Sequence, residues 1–185
     1  MCGIIGYVGP REAEPVLVEG LRRLEYRGYD SAGLATLRGP HLHIRKQAGR
    51  VAELVEHLRD RPAPGTLGIS HTRWATHGPA TDANAHPHIG GEGLVAVVHN
   101  GVIENYAMLK RQLQEDGVVF DSDTDTEVIA QLIAHNLKDD LIEAVLKTVT
   151  VLKGTYGLAI VSPRNPGLVI GARLGSPLVL GIGQG

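Results

Sequence analysis

Apolar runs typical of β-strands open and close this sequence, and three consecutive helical patterns lie between them. The strand-like runs cover residues 3–8, 32–37, 42–47, 67–72, 94–99, 156–162, 168–172 and 178–182. Strands that come first and last do not produce regular βαβ winding. The order favours an α+β fold in which stacked sheets are flanked by helices.

Five segments carry the apolar spacing of amphipathic helices. In residues 12–27, for example, Leu17, Leu21 and Leu24 repeat at intervals of four and three, which places them on one helical face. The other segments are 51–58, 105–116, 126–136 and 141–152. A long segment rich in Gly, Pro and His, residues 75–92, is predicted to be a functional loop.

Length and composition exclude several classes of protein. The 185 residues suffice for one domain, predicted to span 1–185, and hardly for two. A net charge of −2 with scattered basic residues predicts no nucleic-acid partner. No apolar run approaches the roughly 20 residues that span a bilayer, and the start of the chain does not resemble a signal peptide. A single cysteine excludes an internal disulfide, so we expect a cytoplasmic protein without a membrane partner.

That cysteine, Cys2, is a candidate nucleophile. Cys2 and Gly3 are small, which favours removal of Met1 and leaves a thiol and a free α-amine on the same residue. An α-amine has a reference pKa near 7.7–8, so it can take the thiol proton at neutral pH. The alternative is that Cys2 is an ordinary apolar residue at the start of a strand.

A second candidate cluster follows the strand at 67–72. Arg73 offers a planar donor fork suited to a carboxylate, and Trp74 offers a flat wall. Thr76 and His77 add short polar groups. Alternatively, Arg73 pairs with a surface acid and Trp74 belongs to the core.

Asn100 and Gly101 follow the apolar run at 94–99. The Asn100 amide and the Gly101 N–H are adjacent donors that suit an oxyanion hole. The local sequence alone favours a different interpretation, because Asn-Gly is a common turn of β-hairpins.

The acidic segment 121–127 contains a third candidate, Asp125. A calcium loop is excluded because Thr126 and Leu132 stand where such a loop needs Gly and Glu. Thr124 and Glu127 have the spacing of a capping box, which would place Asp125 in the first turn of a helix. This structural role is sufficient to explain an acidic residue at this position, so the sequence alone does not require Asp125 to hold a substrate ammonium.

Histidines are a possible sign of a metal site. His71, His77, His86 and His88 lie close in sequence, but no Cys or carboxylate stands among them at ligand spacing. We therefore predict hydrogen-bonding roles for them, with no metal and no cofactor.

Six segments together resemble the class II glutamine amidotransferases, whose catalytic domain is an N-terminal-nucleophile hydrolase. They are residues 1–6 (MCGIIG), 24–33 (LEYRGYDSAG), 71–78 (HTRWATHG), 84–88 (NAHPH), 99–105 (HNGVIEN) and 124–127 (TDTE). They occur in the family's order and cover essentially the whole chain. The resemblance implies a four-layer α/β/β/α sandwich and hydrolysis of L-glutamine to glutamate and ammonia.

The resemblance also assigns roles to the candidate residues. It implies that Cys2 is the nucleophile and that Asn100 and Gly101 form the oxyanion hole. Arg73 would hold the glutamine α-carboxylate and Asp125 its α-ammonium. The remaining residues would complete the pocket: Thr76 and His77 on its wall, Trp74 as a shield, and Arg27 near the nucleophile.

Within the family, Tyr26-Arg27-Gly28-Tyr29 and Arg73-Trp74 favour the branch that uses ammonia to make glucosamine-6-phosphate from fructose-6-phosphate. Its full-length members carry C-terminal isomerase domains and are expected to be homodimers. We expect these 185 residues to lack the isomerase domains and to bind no fructose-6-phosphate. The alternatives are a phosphoribosylpyrophosphate amidotransferase, which usually has His and Gln flanking Arg-Gly, and a glutamine sensor without chemistry.

Overall fold

The computed structural model describes residues 2–75 and 77–183. The strands are β1 (Gly3–Val8), β2 (Ser31–Arg38), β3 (His41–Ala48), β4 (Leu67–Arg73), β5 (His88–Gly90), β6 (Val95–Ile103), β7 (Gly154–Val161) and β8 (Ile170–Leu174). The helices are α1 (Ala13–Leu24), α2 (Val51–Asp60), α3 (Tyr106–Glu115), α4 (Asp125–Asn136) and α5 (Leu141–Val151). Short 3₁₀ turns cover Glu25–Arg27 and Gly91–Gly93.

The strands form two antiparallel four-stranded sheets. The first has the order β1-β4-β2-β3 and the second the order β5-β6-β7-β8. Small apolar side chains from both sheets pack between them: Ala35, Leu37, Leu67, Ile69, Ala96, Val98, Ala159 and Val161. The sheets are therefore stacked face to face.

Helices cover the outer face of each sheet. Leu17 and Leu21 of α1 and Leu54 of α2 pack with Leu34 on the first sheet. On the second sheet, α3, α4 and α5 bury a larger cluster that includes Ile129 and Leu141. The predicted α+β, four-layer α/β/β/α sandwich is confirmed. None of the helices within 2–75 and 77–183 has the length and apolarity needed to cross a membrane.

Two of the predicted elements are wrong. Residues 178–182 were expected to form a strand, but Gly175 turns the chain at φ +74° and Pro177 lacks an N–H, so the segment leaves the sheet. Its side chains are exposed, with Val179 at 90%. The loop predicted over 75–92 is shorter than expected, because β5 begins at His88 and a 3₁₀ turn follows from Gly91.

The hairpin turn favoured locally at Asn100-Gly101 is also absent. Both residues lie inside β6 and pair with Gly157 and Tyr156 of β7. Gly101 has φ +136°, and a Cβ there would come within 2.0 Å of the Thr155 carbonyl oxygen. The glycine is thus needed for close strand pairing, not for a turn.

The start of α4 matches half of the predicted capping box. The Thr124 hydroxyl accepts the Glu127 N–H at 3.3 Å. The Glu127 carboxylate, however, accepts the N–H groups of Asp121 and Ser122 instead of bonding back to Thr124. This carboxylate therefore folds the preceding loop onto the helix start.

Candidate active site

Eight of the nine predicted site residues line one cleft. β1 runs antiparallel to β4 with Gly3 opposite Thr72, which brings Cys2 beside Arg73. The cleft has a volume of about 1520 Å³. Its lining includes Cys2, Arg27, Arg73, Trp74, His77, Asn100, Gly101 and Asp125.

The Cys2 thiol is half-buried and held by the backbone of Trp74. The Trp74 N–H donates to Sγ at 3.2 Å, and the thiol lies 3.6 Å from the Trp74 carbonyl oxygen. Burial raises the pKa of the Cys2 thiol, while the hydrogen bond from Trp74 opposes that rise. At neutral pH the sulfur is a thiol, so a nucleophilic reaction requires a base to remove its proton.

Asn100 lies next to the nucleophile. Its Nδ2 donates to the Cys2 carbonyl oxygen at 3.2 Å, and its Oδ1 lies 2.9 Å from Nε2 of His71. The amide therefore presents its donor end toward Cys2. A donor in this position suits an anion that forms on a carbonyl attacked by Sγ.

Arg73 is only 3% exposed, and its guanidinium donates to loop carbonyls. Nη1 donates to Pro79, and Nη2 donates to His77 and Gly78. Nη1 of Arg73 also lies 3.9 Å from a carboxylate oxygen of Asp30, and since both side chains are largely buried, this ion pair is not the surface pair considered as an alternative. Arg73 thus anchors residues 77–79 at the edge of the cleft.

Asp125 is buried at the first position of α4. Its Oδ2 accepts the backbone N–H of Ile103 at 2.9 Å. Its two oxygens also lie 3.9 Å from Nδ1 of His77 and of His99. Since Thr124 caps the helix, the carboxylate of Asp125 faces the cleft without being needed for the cap.

Trp74 and Arg27 lie at the rim. Trp74 is 49% exposed and meets the Tyr29 ring edge-on, with centroids 5.4 Å apart. Nε of Arg27 donates to the Tyr26 hydroxyl at 2.9 Å, away from Cys2. A Cβ at Gly28 would come within 2.7 Å of the Arg73 backbone, so this glycine allows the two segments to touch. Thr76 and Met1 lie outside the described residues.

Asp30 is a site residue that sequence reasoning missed. Its carboxylate accepts the Ala75 N–H, and its own N–H donates to the Arg73 carbonyl oxygen at 3.2 Å. It therefore supports the backbone segment that holds Cys2. The sequence feature that could have identified Asp30 is its place in the motif 24–33, directly after Tyr29.

Four buried histidines extend behind the cleft. Nε2 of His86 and Nδ1 of His99 lie 2.8 and 3.0 Å from the Thr126 hydroxyl, and Nε2 of His88 lies 3.0 Å from the Thr124 hydroxyl. Burial lowers the pKa of all four, and that of His71 to about 3. Within the described residues, no group of three or more His, Cys, Asp or Glu is arranged to hold a metal.

The chain was compared with known proteins. A family model described as a glutamine amidotransferase domain matches residues 71–180. The whole chain is 54% identical to a glutamine–fructose-6-phosphate aminotransferase (isomerizing) from Aquifex aeolicus and to another from Pseudomonas putida. It covers 31% of each of these relatives.

Solved structures share the fold. A glutamine phosphoribosylpyrophosphate amidotransferase from B. subtilis superposes with a TM-score of 0.77 at 30% identity, over 88% of this chain and 35% of the other. A structure described as the allosteric regulatory enzyme of purine biosynthesis gives 0.78 at 30% identity, over 88% and 36%. The fold is therefore that of the N-terminal-nucleophile amidotransferases, and this chain belongs to the glutamine amidotransferase domain family.

Proposed function

We propose that this chain hydrolyses L-glutamine to L-glutamate and ammonia through a thioester at Cys2. Sγ attacks the side-chain amide carbon, and its proton passes to the α-amine of Cys2. The tetrahedral intermediate then expels ammonia, which takes up that proton. Water attacks the thioester, and glutamate leaves as the thiol is restored.

One observation carries the proposal: the Asn100 amide donates to the backbone of Cys2, the residue that carries the nucleophile, and both residues line the same cleft. The Trp74 N–H holds Sγ at 3.2 Å, and Nδ2 of Asn100 lies 3.2 Å from the Cys2 carbonyl oxygen. An amide carbon attacked by this sulfur would place its oxygen within reach of the same Nδ2. Gly101 would supply the second donor of the oxyanion hole.

The amine of Cys2 is the proposed base. Because burial raises the thiol pKa, the sulfur is protonated at neutral pH. An α-amine titrates near pH 7.7–8, so a useful fraction accepts a proton there. The proposal therefore requires removal of Met1, since an amine in a peptide bond is no longer a base.

Arg73 and Asp125 are proposed to recognise the α-carbon groups of glutamine. Their opposite charges line one cleft, and both side chains are buried, which strengthens ionic hydrogen bonds to a ligand. The Arg73 fork is occupied by the carbonyls of residues 77–79, so substrate binding would have to rearrange this loop. Thr76, His77 and Trp74 would then complete the pocket wall.

In a longer protein we propose that the ammonia serves the synthesis of glucosamine-6-phosphate from fructose-6-phosphate. The support is the name and the 54% identity of the relatives, which extend well beyond the region matched here. The amidotransferases that act on phosphoribosylpyrophosphate fit less well, because the match to the B. subtilis structure is only 30% identical. C-terminal isomerase domains, a homodimer and a cytoplasmic location belong to the same proposal.

The test is an assay for glutamate and ammonia on the chain with Met1 removed. We expect wild-type turnover, and a loss of about 10⁴-fold or more in Cys2→Ala. Calorimetry should still detect glutamine binding to Cys2→Ala, because the charged groups remain.

A chain that retains Met1 is the matched control for the base. It should be as inactive as Cys2→Ala while keeping its fold. Full turnover in that chain would refute the role of the α-amine. Tight glutamine binding without any turnover in the processed wild-type chain would instead favour a glutamine sensor.

A further inference from the structure

We propose that His71 is a positioning residue that fixes the orientation of the Asn100 amide. The inference rests on the proposed glutaminase function and adds a residue to it. It starts from two hydrogen bonds on the same amide: Oδ1 of Asn100 faces Nε2 of His71 at 2.9 Å, and Nδ2 faces the Cys2 carbonyl oxygen at 3.2 Å.

A side-chain amide has two ends with opposite hydrogen-bonding character. Only Nδ2 can donate to an oxyanion, whereas Oδ1 in the same place would repel it. The amide must therefore be prevented from rotating by half a turn. A donor that binds Oδ1 keeps the amide in the orientation that points Nδ2 toward Cys2. Nε2 of His71 lies within hydrogen-bonding distance of Oδ1.

His71 is suited to this role because its protonation is constant. Oδ1 can only accept, so the neutral ring must carry its hydrogen on Nε2. Burial, the largest influence, lowers the pKa of His71 to about 3. The ring is consequently neutral throughout the pH range in which an α-amine acts as a base, and it remains a single-hydrogen donor.

The ring itself is held on its other side. His86 stacks on it with centroids 4.1 Å apart and planes tilted by 31°. Nε2 of His86 lies 2.8 Å from the Thr126 hydroxyl, one residue beyond Asp125. A continuous set of buried contacts thus joins Asn100 to the start of α4, which carries the proposed ammonium ligand.

A double-mutant cycle tests the proposal in the chain from which Met1 has been removed. We expect His71→Leu, which has no donor, to lower kcat by about 10- to 100-fold, no more than the loss of the oxyanion donor itself. KM should stay near the wild-type value. If His71 acts through Asn100, His71→Leu should cause no further loss of kcat in an Asn100→Ala chain.

Two further variants separate positioning from folding. His71→Gln keeps an N–H donor at similar reach and should recover most of kcat. His88→Leu removes an equally buried histidine that contacts Thr124, and it should lower the melting temperature without changing kcat per folded molecule. If His71→Leu does not fold, His71→Asn, which is polar but too short to reach Oδ1, replaces it in the cycle.

The outcomes are distinct. Equal kcat in Asn100→Ala and in the double variant supports the proposal. Multiplicative losses, or a His71→Gln variant as impaired as His71→Leu, would overturn it while wild-type turnover still supported the glutaminase function. A wild-type chain with no turnover would reject the proposed function and this inference together.

Discussion

The strands β4 and β6 each have an apolar half and a polar half, and in β4 both halves are buried. On the inward face of β4, Ile69 is followed by His71 and Arg73, and on β6, Val98 is followed by Asn100. Ile69, His71 and Val98 are each 0% exposed, although only His71 is polar. Burial therefore does not distinguish the core from the site.

The two halves differ in the kind of contact that their side chains require. Ile69 and Val98 pack against any apolar surface of the right shape, and their contacts are not directional. His71, Arg73 and Asn100 each require a particular acceptor or donor, because an unpaired buried polar group is costly. Changes in the polar half should alter activity, and changes in the apolar half should alter stability.

Among the residues of β4 and β6, the largest effect is expected at Asn100. Asn100→Ala should lower kcat by roughly 10²–10³-fold, the usual cost of one oxyanion-hole donor. KM should change little, because the oxyanion forms only near the transition state. Steady-state glutamate release measures both kcat and KM. A normal kcat in Asn100→Ala would show that Asn100 has no role in catalysis.

A smaller effect is expected at the proposed substrate ligands. Arg73→Lys and Asp125→Asn should each raise KM by roughly 10–150-fold, since each weakens a charge-assisted hydrogen bond worth about 1.5–3 kcal/mol. Lysine keeps the charge of Arg73 but not its planar fork.

Thr124→Ala is the matched control for Asp125→Asn. It removes the side chain that caps α4 and should destabilise the chain by about 0.5–2 kcal/mol with unchanged KM. Asp125→Asn or Arg73→Lys could instead lower the melting temperature and leave KM unchanged. That result would mean that Asp125 only stabilises the backbone at Ile103 and that Arg73 only stabilises residues 77–79.

The buried histidines should make stability depend on pH. Their pKa is lower in the folded chain than the roughly 6.5 of an unfolded histidine, so below pH 6.5 the unfolded chain binds more protons. Stability is therefore complete above about pH 6.5 and falls as the pH drops toward the folded pKa, about 3 for His71.

Each such histidine contributes a slope of about 1.4 kcal/mol per pH unit. Urea unfolding at pH 7.5, 6.0 and 5.0 should show a steep loss in the wild-type chain. In His88→Leu the slope should be shallower by the contribution of one histidine. A free energy of unfolding that is constant between pH 7.5 and 5.0 would contradict the buried neutral cluster.

The smallest effect is expected in the apolar half. Ile69→Val removes one methylene from the space between the sheets and should cost about 0.5–1.5 kcal/mol of stability. Its kcat and KM should equal the wild-type values when corrected for folded protein. A change of KM here would show that the two halves are not independent.

Regular periodicity made much of this fold predictable. The strand-like runs at 3–8 and 67–72 and the apolar stripe of Leu17 and Leu21 matched β1, β4 and α1 to within a few residues. The order of elements was sufficient for the layered architecture, since each apolar face must be covered.

Prediction failed where long-range pairing overrides local preference. Asn100-Gly101 favours a turn locally, but β7 pairs along both residues and holds them in a strand. Residues 178–182 have the apolar character of a strand, yet Gly175 and Pro177 direct them away from the edge of β8.

The sequence brought forward candidate residues that line one cleft, but their contacts were not predictable. Cys2, Arg73, Asn100 and Asp125 were selected from motifs far apart in sequence, and the cleft brings them together. Neither the hydrogen bonds from Arg73 to residues 77–79 nor the one between His71 and Asn100 could be predicted from the sequence, because those contacts depend on how the two sheets face each other.

Intact-mass spectrometry after treatment with a glutamine-like electrophile tests the central claim most directly. The account predicts one adduct per chain, located by peptide mapping on Cys2, in a chain whose mass lacks Met1. Excess glutamine should protect against it, because both compete for one cleft. An adduct on any other residue, or equally rapid modification of a chain that retains Met1, would contradict an N-terminal cysteine nucleophile.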